Sequence, residues 1–198
     1  MKIKICGLTR LEDIKVVNQV QPDYIGFVFA KSRRQVNVQQ AQLLKNQLDH
    51  KIKAVGVFVN DDIDRICHIV NKHIIDIIQL HGDEDETYIK QLKSKVDCPI
   101  IKAIKIKSKE DIQNHIFNVD YYLLDGMKPG SGETFDWSFI HKMNKPFFLA
   151  GGINLHNIDD ALKMDCYGID VSSGVETDGY KDPIKIEEMV RRVKNECR

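Results

Sequence analysis

The chain has 198 residues, room for one domain and little more. Hydrophobic residues make up 42% and charged residues 29%, so the chain can bury a core and is not a disordered one. Lys+Arg and Asp+Glu are 29 each, and this zero net charge argues against a nucleic-acid partner and against a polybasic membrane anchor.

The N-terminus, MKIKICGLTR, enters an alternating strand directly and lacks the apolar stretch of roughly 7–15 residues that marks a signal peptide. No apolar run approaches the ~20 residues needed to span a bilayer. From there short β-branched runs alternate with longer amphipathic stretches. Strands are expected at Lys2–Cys6, Tyr24–Phe29, Ala54–Val59, Asp76–Leu80, Ile100–Ile104, Tyr121–Leu124, Phe147–Ala150 and Gly168–Val171. Helices are expected between and after them, at Arg10–Val20, Val38–Leu48, Asp62–Lys72, Asp85–Ser94, Lys109–Phe117, Trp137–Met143, Asn154–Met164 and Pro183–Asn195. Thr9 with Glu12 reads as a capping box, and Asp182 before Pro183 as an N-cap.

Strict strand–helix alternation calls for a parallel sheet with helices outside it. An open doubly wound sheet and a closed (β/α)₈ barrel both satisfy that. Eight units, and no GxGxxG after the first strand, favour a single α/β barrel spanning residues 1–198 with short loops.

In such a barrel the chemistry lies at the C-terminal strand ends. Gly151 and Gly152 follow the seventh strand, and Ser173 and Gly174 follow the eighth. Either pair alone reads as a tight turn. Together, on adjacent strands, they suit a phosphate, because glycine lets backbone N–H groups approach an anion and a following helix would add its dipole. Cys6 and Asp125 flank that position on its two sides, a thiol and a carboxyl whose spacing suits an acid and a base acting on one bound sugar phosphate. For Cys6 the competing reading is a small buried hydrophobe. His81 either donates to a substrate oxygen or caps its loop. Lys102 lies within the fifth strand, where it could point inward. His68 and His73 read as solvated surface. No strand-end cluster has the look of a metal site, so a metal-independent reaction without a cofactor is expected.

The motifs at these positions carry a resemblance. KICGLT at 4–9, GFVF at 26–29 followed by KSRR, VGVFVN at 55–60, IIQLHGDE at 77–84, IKAI at 101–104, LLDG at 123–126, GSGETFDW at 130–137, LAGGI at 149–153 and DVSSGVE at 170–176 run the length of the chain. In this order they resemble the phosphoribosylanthranilate isomerase family of tryptophan biosynthesis. The resemblance implies an Amadori rearrangement of N-(5-phosphoribosyl)anthranilate to 1-(2-carboxyphenylamino)-1-deoxyribulose 5-phosphate, with Cys6 as general base and Asp125 as general acid. It implies Arg34 at the anthranilate carboxylate, His81 and Asp170 lining the site, and Gly151, Gly152, Ser173 and Gly174 around the phosphate. For that chemistry some lowering of the Cys6 pKa and a raised Asp125 pKa are expected.

Two positions depart from the family pattern. Its Ser-Pro-Arg is Ser32-Arg33-Arg34 here, and Pro129 replaces a glycine in the loop after strand six. The rival readings are a sugar-phosphate isomerase of histidine biosynthesis, a metal-dependent epimerase, or a non-enzymatic barrel that binds a phosphorylated metabolite. The first works through a carboxylate pair with a half-repeat, and the second needs strand-end His and Asp ligands; neither feature is present. Five scattered cysteines without a CxxC pair suit a reducing compartment, so a cytoplasmic location is expected, and with no helix face marked for self-association beyond what covers a barrel, a monomer.

Overall fold

The computed structural model describes residues 1–113, 117–126, 134–140 and 143–195. Its frame is β1 (Lys2–Cys6), β2 (Tyr24–Val28), β3 (Lys53–Phe58), β4 (Ile77–Leu80), β5 (Ile100–Ile106), β6 (Tyr121–Gly126), β7 (Phe147–Leu149) and β8 (Gly168–Val171). Each strand pairs in parallel with the next, and β8 returns to β1 with Ile169 opposite Ile3 and Val171 opposite Ile5. The sheet is therefore a closed barrel, and the open alternative falls. Strand β6 runs two residues further than expected, so Asp125 is a strand residue with Lys105 of β5 as its neighbour.

The outer layer holds α1 (Leu11–Val20), α2 (Val38–Asn46), α3 (Ile63–Asn71), α4 (Glu86–Lys93), α5 (Lys109–Gln113), α6 (Ile158–Ala161) and α7 (Pro183–Asn195). Helix α7 shows the logic: Ile186, Met189, Val190 and Val193 recur on one face and are buried, with α1 and β1 as its neighbours. Asp182 caps it as expected, its Oδ1 accepting from the Ile184 and Lys185 N–H groups.

Four expectations need correction. The box at α1 uses Asp13, not Thr9 with Glu12. The Asp13 carboxylate accepts from the Thr9 and Arg10 N–H groups and from the Arg10 guanidinium, because Thr9 stands one residue too early to be the N-cap. The helix expected at Asn154–Met164 shrinks to α6, because the Asn154 and Asn157 amides both turn back to the Gly152 carbonyl and hold the chain out of helix until Ile158. In place of a helix at Trp137–Met143 there is a single 3₁₀ turn, Trp137–Phe139, and residues 141–142 lie outside the described residues. Finally, a short hairpin, β9 (Glu176–Thr177) and β10 (Tyr180–Lys181), was not expected. Its turn residues Asp178 and Gly179 both have positive φ, the geometry that Asp-Gly favours.

Strand alternation sorts the core into two. Ile3, Ile5, Ile25, Phe27, Ile78, Ile100 and Ile104 face the shell between sheet and helices. Tyr24, Val55, Ile77, Ile101, Ala103, Leu123 and Phe148 fill the barrel itself. Phe148 meets Tyr24 and Tyr167 edge-on, with ring centroids 5.5 and 5.3 Å away, and the Tyr24 and Tyr167 hydroxyls lie 2.8 Å apart. This aromatic floor closes the barrel below the functional end. Lys102 falls between Ile101 and Ala103 in parity and so points outward, not inward. Buried under the helices, its Nζ donates to Glu84 Oε2 and to the Gly82 carbonyl, both at 2.7 Å. His68 and His73 are exposed, as expected. Among the described residues no helix is long and apolar enough to cross a membrane.

Candidate active site

At the C-terminal end of the barrel a cavity of about 390 Å³ is lined by Cys6, Arg34, His81, Asp125, Gly151, Gly152, Asp170 and Ser173, among others. Eight of the nine expected site residues thus converge on one space. Gly174 is the ninth. It stands behind the wall, where a Cβ would come within 1.9 Å of the Ile153 carbonyl oxygen. Glycine there permits close passage of two backbones.

Gly151 and Gly152 take positive φ, which turns the chain sharply at the end of β7. A Cβ on Gly151 would also meet the Gly126 nitrogen at 2.6 Å and Asp125 Oδ1 at 2.9 Å, so this loop lies directly against the carboxyl. The helix expected after β8 is present as α7 but starts only at Pro183, beyond the Ser173-Gly174 turn. Ser172 and Ser173 instead form a turn, accepting from the Val175 and Glu176 N–H groups, that leads into the β9–β10 hairpin. An anion here would meet loop backbone rather than a long helix end.

Cys6 is 7% exposed, at the end of β1. Burial pushes its thiol above the ordinary value; Lys4 pulls it back down, Asp170 adds to the rise, and Lys181 lowers it. The net direction is up, opposite to the lowering expected from sequence, because burial outweighs the two cations. Lys4 is wholly buried in the barrel. Its Nζ donates to Gln79 Oε1 at 2.9 Å and to Asp170 Oδ1 at 3.0 Å. Burial disfavours this ammonium, but Asp170 and Cys6 hold its pKa above the ordinary lysine value. Gln79 Nε2 lies 2.9 Å from His81 Nδ1, and His81 Nε2 lies 3.2 Å from Asp125 Oδ2. One polar chain therefore crosses the barrel from Asp170 to Asp125.

Arg34 packs its stem over Gly7, where a Cβ would approach its Cδ to 2.4 Å. Its Nε and Nη2 donate to the two Glu176 oxygens at 2.6 and 2.9 Å. That is one bidentate edge of the guanidinium. Nη1 and the second Nη2 proton form the other edge, and one carboxylate fits it. Glu176 is itself clamped by Lys181 Nζ at 2.5 Å, which also donates to the Ser172 carbonyl. Burial works against the Glu176 carboxylate, but the bonds from Arg34 and Lys181 keep its pKa below the ordinary range. Arg33 reaches the same carboxylate from outside, at 2.5 Å, and is half exposed.

The missing proline has a local explanation. The Gln35 N–H donates to the Ser32 carbonyl, so Ser32–Gln35 is a turn with Arg33 at its second position. Proline is favoured there but not required. The other departure, Pro129, lies outside the described residues, as do the first half of GSGETFDW and Cys197.

Sequence reasoning missed Lys4, Gln79, Glu176 and Lys181 as parts of the site. Lys4 has a readable signal, since it shares its strand face with Cys6. Glu176 and Lys181 depend on the hairpin that Asp178-Gly179 announces. Among the described residues no group of three or more His, Cys, Asp or Glu side chains is placed to hold a metal ion.

Comparison with known proteins agrees with this geometry. A relative from Endomicrobium trichonymphae, an N-(5'-phosphoribosyl)anthranilate isomerase, is 46% identical over 96% of each chain. The phosphoribosyl anthranilate isomerase of Thermus thermophilus superposes with a TM-score of 0.89 at 28% identity, covering 98% of this chain and 99% of that one. A further phosphoribosyl anthranilate isomerase, solved in complex with reduced 1-(o-carboxyphenylamino)-1-deoxyribulose 5-phosphate, superposes with a TM-score of 0.82 at 28% identity over 98% and 99%. The family model for N-(5'-phosphoribosyl)anthranilate isomerase matches residues 3–192, and the chain belongs to that family.

Proposed function

We propose that the chain isomerises N-(5-phosphoribosyl)anthranilate to 1-(2-carboxyphenylamino)-1-deoxyribulose 5-phosphate, the Amadori step of tryptophan synthesis. The observation that carries this reading is the placement of Cys6 and Asp125 in one cavity, with the Gly151-Gly152 turn against the Asp125 carboxyl.

Asp125 gives a proton to the ribose ring oxygen as the C1–O bond breaks. The anthranilate nitrogen lone pair fills the gap and makes a protonated Schiff base at C1. That cation acidifies the C2 hydrogen. Cys6, as thiolate, takes it, and the C–H electrons form the C1–C2 double bond of an enolamine while the iminium is neutralised. Ketonisation moves the hydroxyl proton from C2 to C1 overall. The opened substrate is its own electron sink, so acid and base suffice. Gly151, Gly152 and Ser173 seat the phosphate, with Gly174 holding their loops close. The free edge of Arg34 receives the anthranilate carboxylate. Asp170 and Lys4 set the charge around Cys6, and His81 holds Asp125.

We take the protein to work in the cytoplasm as a monomer, a solution mass near 22.8 kDa being the check. The test of function is complementation: the chain restores growth without tryptophan to an auxotroph lacking this isomerase. Failure of a well-expressed chain to do so overturns the reading.

A further inference from the structure

Gln79 has no part in the chemistry above and Lys4 only sets charge near Cys6, yet both occupy the middle of the barrel, 1% and 0% exposed. A side-chain amide can face either way, and an imidazole has two neutral tautomers. Here neither choice is open. The Lys4 ammonium has only donors, so the atom of Gln79 that meets it at 2.9 Å is the carbonyl oxygen. The Gln79 NH₂ group then faces His81 and donates to Nδ1 at 2.9 Å. Nδ1 is therefore the acceptor, and the ring proton sits on Nε2. Nε2–H in turn donates to Asp125 Oδ2 at 3.2 Å. A doubly protonated ring would set an N–H against the Gln79 NH₂. Turning the amide over would set that NH₂ against the buried ammonium. Both arrangements place donor against donor in a buried site, where an unmade hydrogen bond is costly.

The direction of the chain also distinguishes the two oxygens of Asp125. Oδ2 is occupied as an acceptor. Oδ1 is the atom beside Gly151 and faces the loop that seats the sugar phosphate.

We propose that Lys4 and Gln79 are positioning residues that fix His81 as its Nε2–H tautomer and so leave Asp125 Oδ1 as the oxygen that delivers the proton. The functional half of this rests on the reading of Asp125 as the acid; the tautomer stands without it.

The test uses the whole chain with ¹⁵N-labelled histidine, measured at mildly alkaline pH. Nitrogen shifts separate a protonated ring nitrogen from a bare one. In the wild-type protein His81 should show a bare Nδ1 and a protonated Nε2; a protonated Nδ1 overturns the proposal. Gln79→Glu keeps the shape but turns an acceptor toward the ring. The proton should then appear on Nδ1, and kcat should fall about tenfold or more, within the roughly 10²–10⁴-fold a positioned acid supplies, with KM changed far less. A folded variant with its tautomer unchanged overturns the relay. An inverted tautomer with wild-type kcat overturns its service to the acid. Wild-type turnover in Asp125→Asn would instead overturn the acid reading and leave the tautomer result intact.

Discussion

The two sides of the barrel mouth handle protons by different means. On the β8–β1–β2 side Cys6 sits among charges: Lys4 and Lys181 lower its pKa while Asp170 and burial raise it. On the β4–β6 side Asp125 sits at the end of a hydrogen-bonded chain through His81 and Gln79. Charge acts over distance and in degrees, so it tunes how readily a thiol ionises. Hydrogen-bond direction is all or none, so it selects which atom holds a proton. Both devices start at one residue, Lys4, which is where the two sides are joined.

The contrast is broken most severely on the acid side. Asp125→Asn removes the transferable proton at nearly constant shape, and kcat should fall by roughly 10²–10⁴-fold. Steady-state kinetics with a product-analogue binding assay checks it; a variant that no longer binds the analogue makes Asp125 a binding group instead. Next comes Arg34→Ala, on the charged side. Its loss should lower kcat/KM by about 2 kcal/mol or more, the scale for removing one partner of a buried charge-assisted pair. Here Glu176 would also be left without the guanidinium it holds, so part of the cost is its own. The smallest change is Arg33→Pro. Arg33 is 55% exposed at the second position of a turn, and an exposed ion pair is worth about 0–1 kcal/mol. Activity should be near normal, with stability neutral or raised by up to about 1 kcal/mol through a stiffer unfolded chain. Thermal melts and kcat/KM on both arginine variants decide it. A crippled Arg33→Pro beside a normal Arg34→Ala would show that the ligand arginine is off by one.

The barrel was readable because parallel strands buried on both faces appear as short β-branched runs, and eight such runs leave few topologies. The ends of elements were less so. Asn154 and Asn157 shorten a helix through bonds to Gly152, a competition that local propensity does not reveal. Cys6, Asp125, Arg34 and the Gly151-Gly152 turn were legible because strand ends are where this fold puts chemistry. The face of Lys4 was legible, but its pairing with Gln79 was not, because the two partners lie 75 positions apart along the chain. Glu176 was hidden for the same reason: Arg34 reaches it only once β8 lies beside β1 and the hairpin has formed. The direction of the Cys6 shift was misread because enclosure is a property of the closed barrel, not of KICG.

The central claim is that Cys6 takes the C2 proton, and the pH dependence of kcat/KM tests it most directly, since that quantity reports groups of the free enzyme. The thiolate is the active form, and burial raises the thiol pKa, so activity should climb with pH along a limb centred above the ordinary value of about 8.5. Cys6→Ser should keep the fold, lose that limb and fall by roughly 10²–10⁴-fold, because a serine hydroxyl ionises far less readily. Wild-type-like turnover in the serine variant, with the same alkaline limb, would contradict the assignment of Cys6 as the base.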